Sequence, residues 1–406
     1  MRSLSNTGWS FHLPRISSRR VITVPTFASL GMMGVFHAFW GTALPALRLF
    51  LDINIEKAAI LTAYTQAGQA AACVLGGVLC DLFRRDRVLF LGCLLLGTGA
   101  LFLGGIRSFE ITLFVALGMG FGCGLILSSS NALLVGLYPN RKGPILNIHH
   151  SVYGAVSLFS PLVMGYLISS GHGWTQGYRG LGWILIVTCS FFLLTDAPLP
   201  SESTNRTFFK DLGGLFRKGE FIFLLLIAAM SIGTQIAIMF LSVTFLSEVK
   251  GLSIIEASAV LSGFFIFLLA GRLMCSWLAL RTQVSKIIFG LVILQLCSLI
   301  VAWQGRGWFS AGAIVVSGLA CSGIFPGLLA LTGTLYFDMA GSSLGILASM
   351  NWIGGMLIVW ISGIVSQRMG LEFGFVAIVG SSLVGVALFL SRYRVFVREE
   401  KKLALL

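Results

Sequence analysis

Twelve runs of continuously apolar sequence, each closed by a short polar break, limit what this chain can fold into. They lie at about 24–50, 58–80, 88–106, 111–138, 145–169, 181–195, 221–249, 257–280, 287–304, 309–336, 344–365 and 373–390. About 20 apolar residues carry one helix across the hydrocarbon of a bilayer. Backbone groups in lipid must pair within their own segment, so runs of this length are expected to be helices. Barrel strands would instead alternate apolar and polar residues over about ten positions. With 56% hydrophobic and only 11% charged residues, the chain is too apolar for a soluble enzyme, a nucleic-acid module or a disordered scaffold.

The formal charge of +13 therefore needs a membrane explanation. Lys and Arg near span ends are retained on the cytoplasmic side. If the N-terminus is inside, the inner segments hold 20 of the 28 basic residues and the outer segments seven, and Arg272 falls within span eight. Both termini are expected in the cytoplasm, with the chain in the cytoplasmic (inner) membrane and its basic surface against anionic lipid head groups. The first 20 residues lack the compact apolar core and cleavage site of a secretory signal, so span one is expected to be retained. All eight cysteines lie in apolar runs without a C-x-x-C pair, which reads as packing and implies no metal or other cofactor.

The longest polar interruption, Asp196 to Glu220, divides six spans from six. The expected organisation is a cytoplasmic tail (1–20), a six-helix bundle (21–195), a central linker (196–220), a second six-helix bundle (221–390) and a cytoplasmic tail (391–406). Gly77 and Gly271, Arg84 and Arg281, and Leu137-Tyr138 and Leu335-Tyr336 recur at offsets of 194 to 198. That suggests a parallel internal repeat, an architecture of transporters. Span four carries Gly118, Gly120, Gly122 and Gly124, small residues that let helix backbones approach closely in lipid.

After span two the chain reads Gly77-Val-Leu-Cys-Asp81-Leu-Phe-Arg84-Arg85-Asp86-Arg87. This resembles the loop motif G-x-x-x-D-R/K-x-G-R-R/K of the major facilitator superfamily, with Gly77, Asp81 and Arg85 in place and Leu82, Arg84 and Asp86 departing from it. A carboxylate at a helix end beside guanidinium groups can hold one conformer through charge-assisted bonds. Gly77, Asp81, Arg84 and Arg85 are therefore assigned to gating. From Asn131 to Pro161 the chain is similar to the fucose permease-like branch of sugar transporters: Tyr138-Pro-Asn-Arg141-Lys142-Gly143, Leu146-Asn147-Ile-His149-His150, Tyr153-Gly154 and Ser160-Pro161. Ala270-Gly271-Arg272 extends the resemblance into the second half. It implies an all-α membrane protein with two pseudo-symmetric six-helix bundles and a central cavity that opens alternately to each side.

Polar side chains within spans are costly and tend to face a cavity or a partner helix. His37 and Trp40 in span one, and Gln66 and Gln69 in span two, sit at i, i+3 and share a face in each case. Asn131 and His150 follow in spans four and five, Gln235 in span seven, and Asn351 with Trp352 in span eleven. An aromatic platform beside amides and imidazoles suits a hydroxylated ligand, and these nine residues are the candidate substrate site. His149 and His150 diverge by about 100° on a helix, so one of them is expected only to pack. For Arg272, an anionic substrate, contacts that stabilise a helix bend, and snorkelling are each physically possible. Because the Gly-Arg pair belongs to the resemblance whatever the substrate, Arg272 is assigned to gating.

No Asp or Glu sits in the interior of any span; Asp52, Asp81, Glu220, Glu248, Glu256 and Asp338 all lie near span ends. The membrane-embedded acid that the resemblance implies four residues before Asn131 is Leu127 here. Coupling would therefore use histidine, whose unperturbed pKa near 6.5 suits proton exchange, with His37 and then His150 as candidates; otherwise the protein is a uniporter. The expected function is secondary active transport of a small polar solute, a sugar or polyol, by a monomer. Export of amphipathic drugs or metabolites, and a transport-inactive sensor or assembly factor, are the alternatives. An enzyme is not expected, since H-E-x-x-H and paired interior carboxylates are both lacking.

Overall fold

The computed structural model describes residues 18–138, 141–197, 216–217, 219–336 and 340–403, nearly all of them helical. The first half comprises α1 (Arg19–Leu51), α2 (Ile55–Leu82), α3 (Arg85–Leu103), α4 (Phe109–Leu137), α5 (Lys142–Ser169) and α6 (Trp174–Leu194). The second comprises α7 (Gly219–Glu248), α8 (Ile254–Ala279), α9 (Val284–Gln304), α10 (Trp308–Ser322), α11 (Ile324–Leu335), α12 (Ala340–Met369) and α13 (Leu371–Leu403). Pro139, Asn140 and most of the linker lie outside the described residues, as do the side chains of Asp81, Lys142 and Asn147.

Eleven of the described helices are long and apolar enough to cross a membrane, with α10 and α11 counted as one span. α2 completes the twelve: it has 28 residues but is diluted by Thr62, Thr65, Gln66 and Gln69. All four are buried, so its polar groups face protein rather than lipid. The tenth span breaks at Gly323 because Pro326 has no N–H to give the Ser322 carbonyl. The sixth starts at Trp174, well before 181. The last continues to Leu403, so residues 391–403 extend its helix. The Glu400 carboxylate fastens that extension by accepting Val284 N at 2.7 Å and Ser285 N at 3.0 Å, at the free N-terminus of α9.

The two halves repeat each other in detail. Tyr138 and Tyr336 end α4 and α11 with nearly the same backbone angles, φ −126°, ψ 61° and φ −124°, ψ 45°. Each turns its side chain to the first helix of its own half: Tyr138 Oη lies 3.0 Å from Thr23 Oγ1, and the Tyr336 ring 5.2 Å from that of Phe221. Gly120 packs on the Thr65 carbonyl and Gly318 on that of Phe264. One sequence pairing shifts by a residue. The glycine equivalent to Gly271, which packs on Ser322, is Gly76, which packs on Ser128, while Gly77 has nothing within 4 Å.

The halves meet along three helix pairs, α1 with α7, α2 with α12 and α5 with α8. The end of the bundle that carries Arg84, Arg85 and Arg87 is here called the basic end. Away from it, Gly363 of α12 packs directly on Ala59 of α2, and Gly165 of α5 against Ser258 and Ile255 of α8. Arg48 pairs with Glu248 there at 3.0 Å. Eighteen residues make five whole turns, so Gly77 lies on the same face of α2 as Ala59, and Gly345 on the same face of α12 as Gly363. Neither Gly77 nor Gly345 meets anything within 4 Å. The seam is therefore tight at the far end and opens toward the basic end.

Candidate functional site

His37 lies near the midpoint of α1 and is 1% exposed. Its Nδ1 is 2.9 Å from Tyr153 Oη on α5 and its Nε2 is 3.0 Å from Gln69 Oε1 on α2. With the amide oxygen toward the ring, a neutral imidazole donates from Nε2 and accepts the tyrosine proton at Nδ1. A second ring proton would turn the Tyr153 oxygen into the acceptor without moving a heavy atom. The imidazole also touches the other half, with ring centroids 5.5 Å from Trp352 on α12 and 6.1 Å from Phe240 on α7. Trp352 in turn lies close to Cys73 of α2. Five helices from both halves thus converge at one depth.

Around this cluster several buried polar atoms have no partner among the described residues: Gln66 Oε1, Gln69 Nε2 and Asn351 Oδ1. Leaving such groups unmade is expensive, so they mark where water or a ligand would be bound. Asn131 Oδ1, nearer the basic end on α4, is also unpaired. Gln235 is half-buried on α7, next to Ile236, which packs with Phe240.

Not every nominated residue joins the cluster. Trp40 shares the His37 side of α1, but its indole donates to Thr62 Oγ1 at 3.0 Å and meets the Phe36 ring at a tilt, within the core of the first half. The two adjacent histidines separate as helix geometry requires. His149 is fully buried, 3.0 Å from Ser130 Oγ and 5.1 Å from the Phe27 ring, whereas His150 is half-buried. Arg272 on α8 lies within electrostatic range of His150 and Tyr153.

At the basic end, Arg84 forks onto Asp86 at 2.7 and 3.2 Å, pairs with Asp196, and donates to the Thr195 carbonyl at 2.8 Å. The bond to Asp86 holds its guanidinium above its ordinary pKa. Asp86 is fully buried and also accepts Thr195 Oγ1 at 2.9 Å. Arg85 donates to the Ala132 carbonyl at 3.0 Å. These bonds tie α3 to α4 and α6 within the first half. Sequence reasoning passed over Asp86, which appeared only as a departure from a basic motif position. It also passed over Gln295, which is fully buried and donates to the Ser231 carbonyl at 3.0 Å inside the second half.

Twelve helical spans in two like halves around a mid-membrane polar cluster define a membrane transporter. A model of the Major Facilitator Superfamily matches residues 26–311. The fold is similar to a bacterial homologue of the human lysosomal transporter Spinster in an inward-facing, unoccupied conformation (TM-score 0.78, 15% identity, 94% of this chain and 98% of that one). It is also similar to a D-xylose-proton symporter (0.74, 15%, 94% and 98%) and to the fucose:proton symporter of E. coli (0.62, 17%, 91% and 99%). Bypass of stop codon protein 6 of Saccharomyces cerevisiae is 32% identical over 65 residues, 16% of this chain and 13% of that protein's length. The chain belongs to the major facilitator superfamily, and it is a secondary transporter rather than an enzyme.

Proposed function

We propose that this transporter carries a small hydroxylated solute, of the sugar or polyol class, across the cytoplasmic membrane by alternating access. The observation that carries the reading is His37, bonded to α2 and α5 of one half and in ring contact with Trp352 and Phe240 of the other. A solute bound there touches both halves at once, so closing around it can shift which side is open. Gln66, Gln69 and Asn351 supply unpaired groups for hydroxyls, Trp352 an apolar face for C–H surfaces, and Tyr153 a link to His37. Trp40 supports the cluster from behind.

The charge pattern favours the basic end, and both termini with it, on the cytoplasmic side. The seam that opens toward that end then corresponds to an inward-facing form. His37 is the proposed proton carrier, because its two bonds accommodate either charge state. The sugar-proton symporters with the same fold are compatible with such coupling. The protein is proposed to act as a monomer surrounded by anionic lipid.

Uptake into proteoliposomes, with and without an imposed pH gradient, tests this reading. Accumulation of a hydroxylated solute that depends on His37 supports it. Flux only of amphipathic drugs would replace the substrate class, and absence of any flux would leave an inactive scaffold.

A further inference from the structure

Arg272 is left without a role in that solute site. The acidic residues of the spanning helices lie near helix ends, and none sits in a span interior beside this guanidinium in the sequence. Among the described residues it has no ion-pair or hydrogen-bond partner. An isolated charge in a membrane interior is unfavourable unless it is paired or hydrated.

The backbone shows where it points. Leu269, one turn before Arg272 on α8, is the residue nearest Gly154 of α5, where an added Cβ would lie 4.0 Å away. Residues three apart share a helix face, so Arg272 faces α5. His150, one turn before Gly154, lies on the matching face of α5. Both residues sit roughly 10–12 Å in from the basic end, counting 1.5 Å per residue. The Arg272 charge acts on His150 and on Tyr153, and the Tyr153 hydroxyl is the one bonded to His37 at 2.9 Å. Arg272 therefore stands on the widening side of the α5–α8 seam, one residue removed from the mid-membrane cluster.

We infer that Arg272 binds a carboxylate on the carried solute, so that the substrate class is hydroxylated carboxylic acids, such as sugar acids, rather than neutral sugars. The inference rests on the solute-carrier reading and narrows it. A guanidinium offers a planar fork that matches a carboxylate with two parallel bonds. The unpaired Gln66, Gln69 and Asn351 atoms remain for the hydroxyls, and Trp352 for the carbon skeleton. A neutral solute would fill the second set and leave Arg272 unmatched.

The test is uptake by the reconstituted full chain of gluconate, glycerate and galacturonate, each against its neutral counterpart sorbitol, glycerol or galactose. The acids are expected to be carried in preference. Arg272→Gln is expected to weaken their apparent affinity roughly ten- to a hundredfold, the scale of a hydrogen bond to a charged group. Arg272→Lys, which keeps the charge, is expected to retain the preference at reduced affinity. Equal or better uptake of the neutral member in wild type overturns the inference and leaves the carrier reading standing, without needing any variant to fold. Unchanged acid affinity in a well-expressed Arg272→Gln protein overturns it as well. Absence of flux for every solute removes the carrier reading, and this inference with it.

Discussion

Ala59 on α2 and Gly363 on α12 touch so closely that the glycine has no room for a side chain, while five turns along the same two faces Gly77 and Gly345 look into open space. In the proposed alternating-access cycle, two bundles that share a tight seam at one end and a gap at the other would exchange the two by rocking. The small residues set how near the closed end can come.

Gly363→Leu should wedge that closed end apart. Overpacking a close contact costs about 1–3 kcal/mol, enough to shift a two-state balance about five- to a hundredfold. A cysteine placed at Leu44, which is buried in the core shared by the halves, should become more reactive from the far side, with membrane abundance retained. If its labelling is unchanged, this seam is not the gate.

The Arg48–Glu248 pair should matter less. Both side chains are part exposed, at 21% and 34%, and such pairs are worth under about 1 kcal/mol. Reversing either charge should raise Leu44→Cys labelling modestly, and the double reversal Arg48→Glu with Glu248→Arg should restore it. Non-restoration would mean that the charges act through other groups.

Trp40 and Trp352 should separate cleanly. Trp40 is 1% exposed and bonded to Thr62 inside one half, so Trp40→Ala should cost about 3 kcal/mol or more and lower both melting temperature and membrane abundance. Trp352 faces His37 across the seam, so Trp352→Ala should keep abundance and lose transport. The reverse pattern would move the solute site to the Trp40 side.

What the sequence disclosed depended on how far each signal reaches. Lipid imposes its demand on every residue of a span, so twelve apolar runs were legible without a structure. Polar residues within spans stood out for the same reason, and His37, Gln69 and Trp352 do meet. Which face each one presents depends on helix rotation and tilt, set by contacts distant in sequence. Trp40 turns to Thr62 because of where α2 lies, and Gly76 rather than Gly77 packs on Ser128 for a like reason. Asp86 sat among three arginines and stood out only as a departure from a basic motif position. Its burial comes from the end of α6, more than 100 residues away.

His37 and Tyr153 offer a direct test of coupling. His37→Gln keeps a hydrogen-bonding group but no titratable ring, so pH-driven accumulation should vanish while solute exchange persists. Tyr153→Phe removes only the 2.9 Å bond, a loss of about 0.5–1.5 kcal/mol, and should weaken solute affinity by roughly two- to tenfold. Accumulation that still follows the pH gradient in His37→Gln would place the proton elsewhere.

Asp86 should prove a fastener of the first half rather than a part of the solute path. Its carboxylate is fully buried and holds Arg84 and Thr195 together, whereas Arg84 is partly exposed, with a side chain at 19%. Removing one partner of a buried pair strands the other charge, at about 3–5 kcal/mol when both are enclosed. Partial exposure of Arg84 lowers this to about 2–3 kcal/mol. Asp86→Ala should therefore reduce the melting temperature of the purified protein, and Thr195→Val should do so less, at about 1 kcal/mol for one hydrogen bond. Neither variant should alter which solutes compete for uptake, because the Arg84, Asp86 and Thr195 bonds seen among the described residues stay within the first half. A change in solute preference in Asp86→Ala, with stability intact, would assign the cluster to the transport cycle itself.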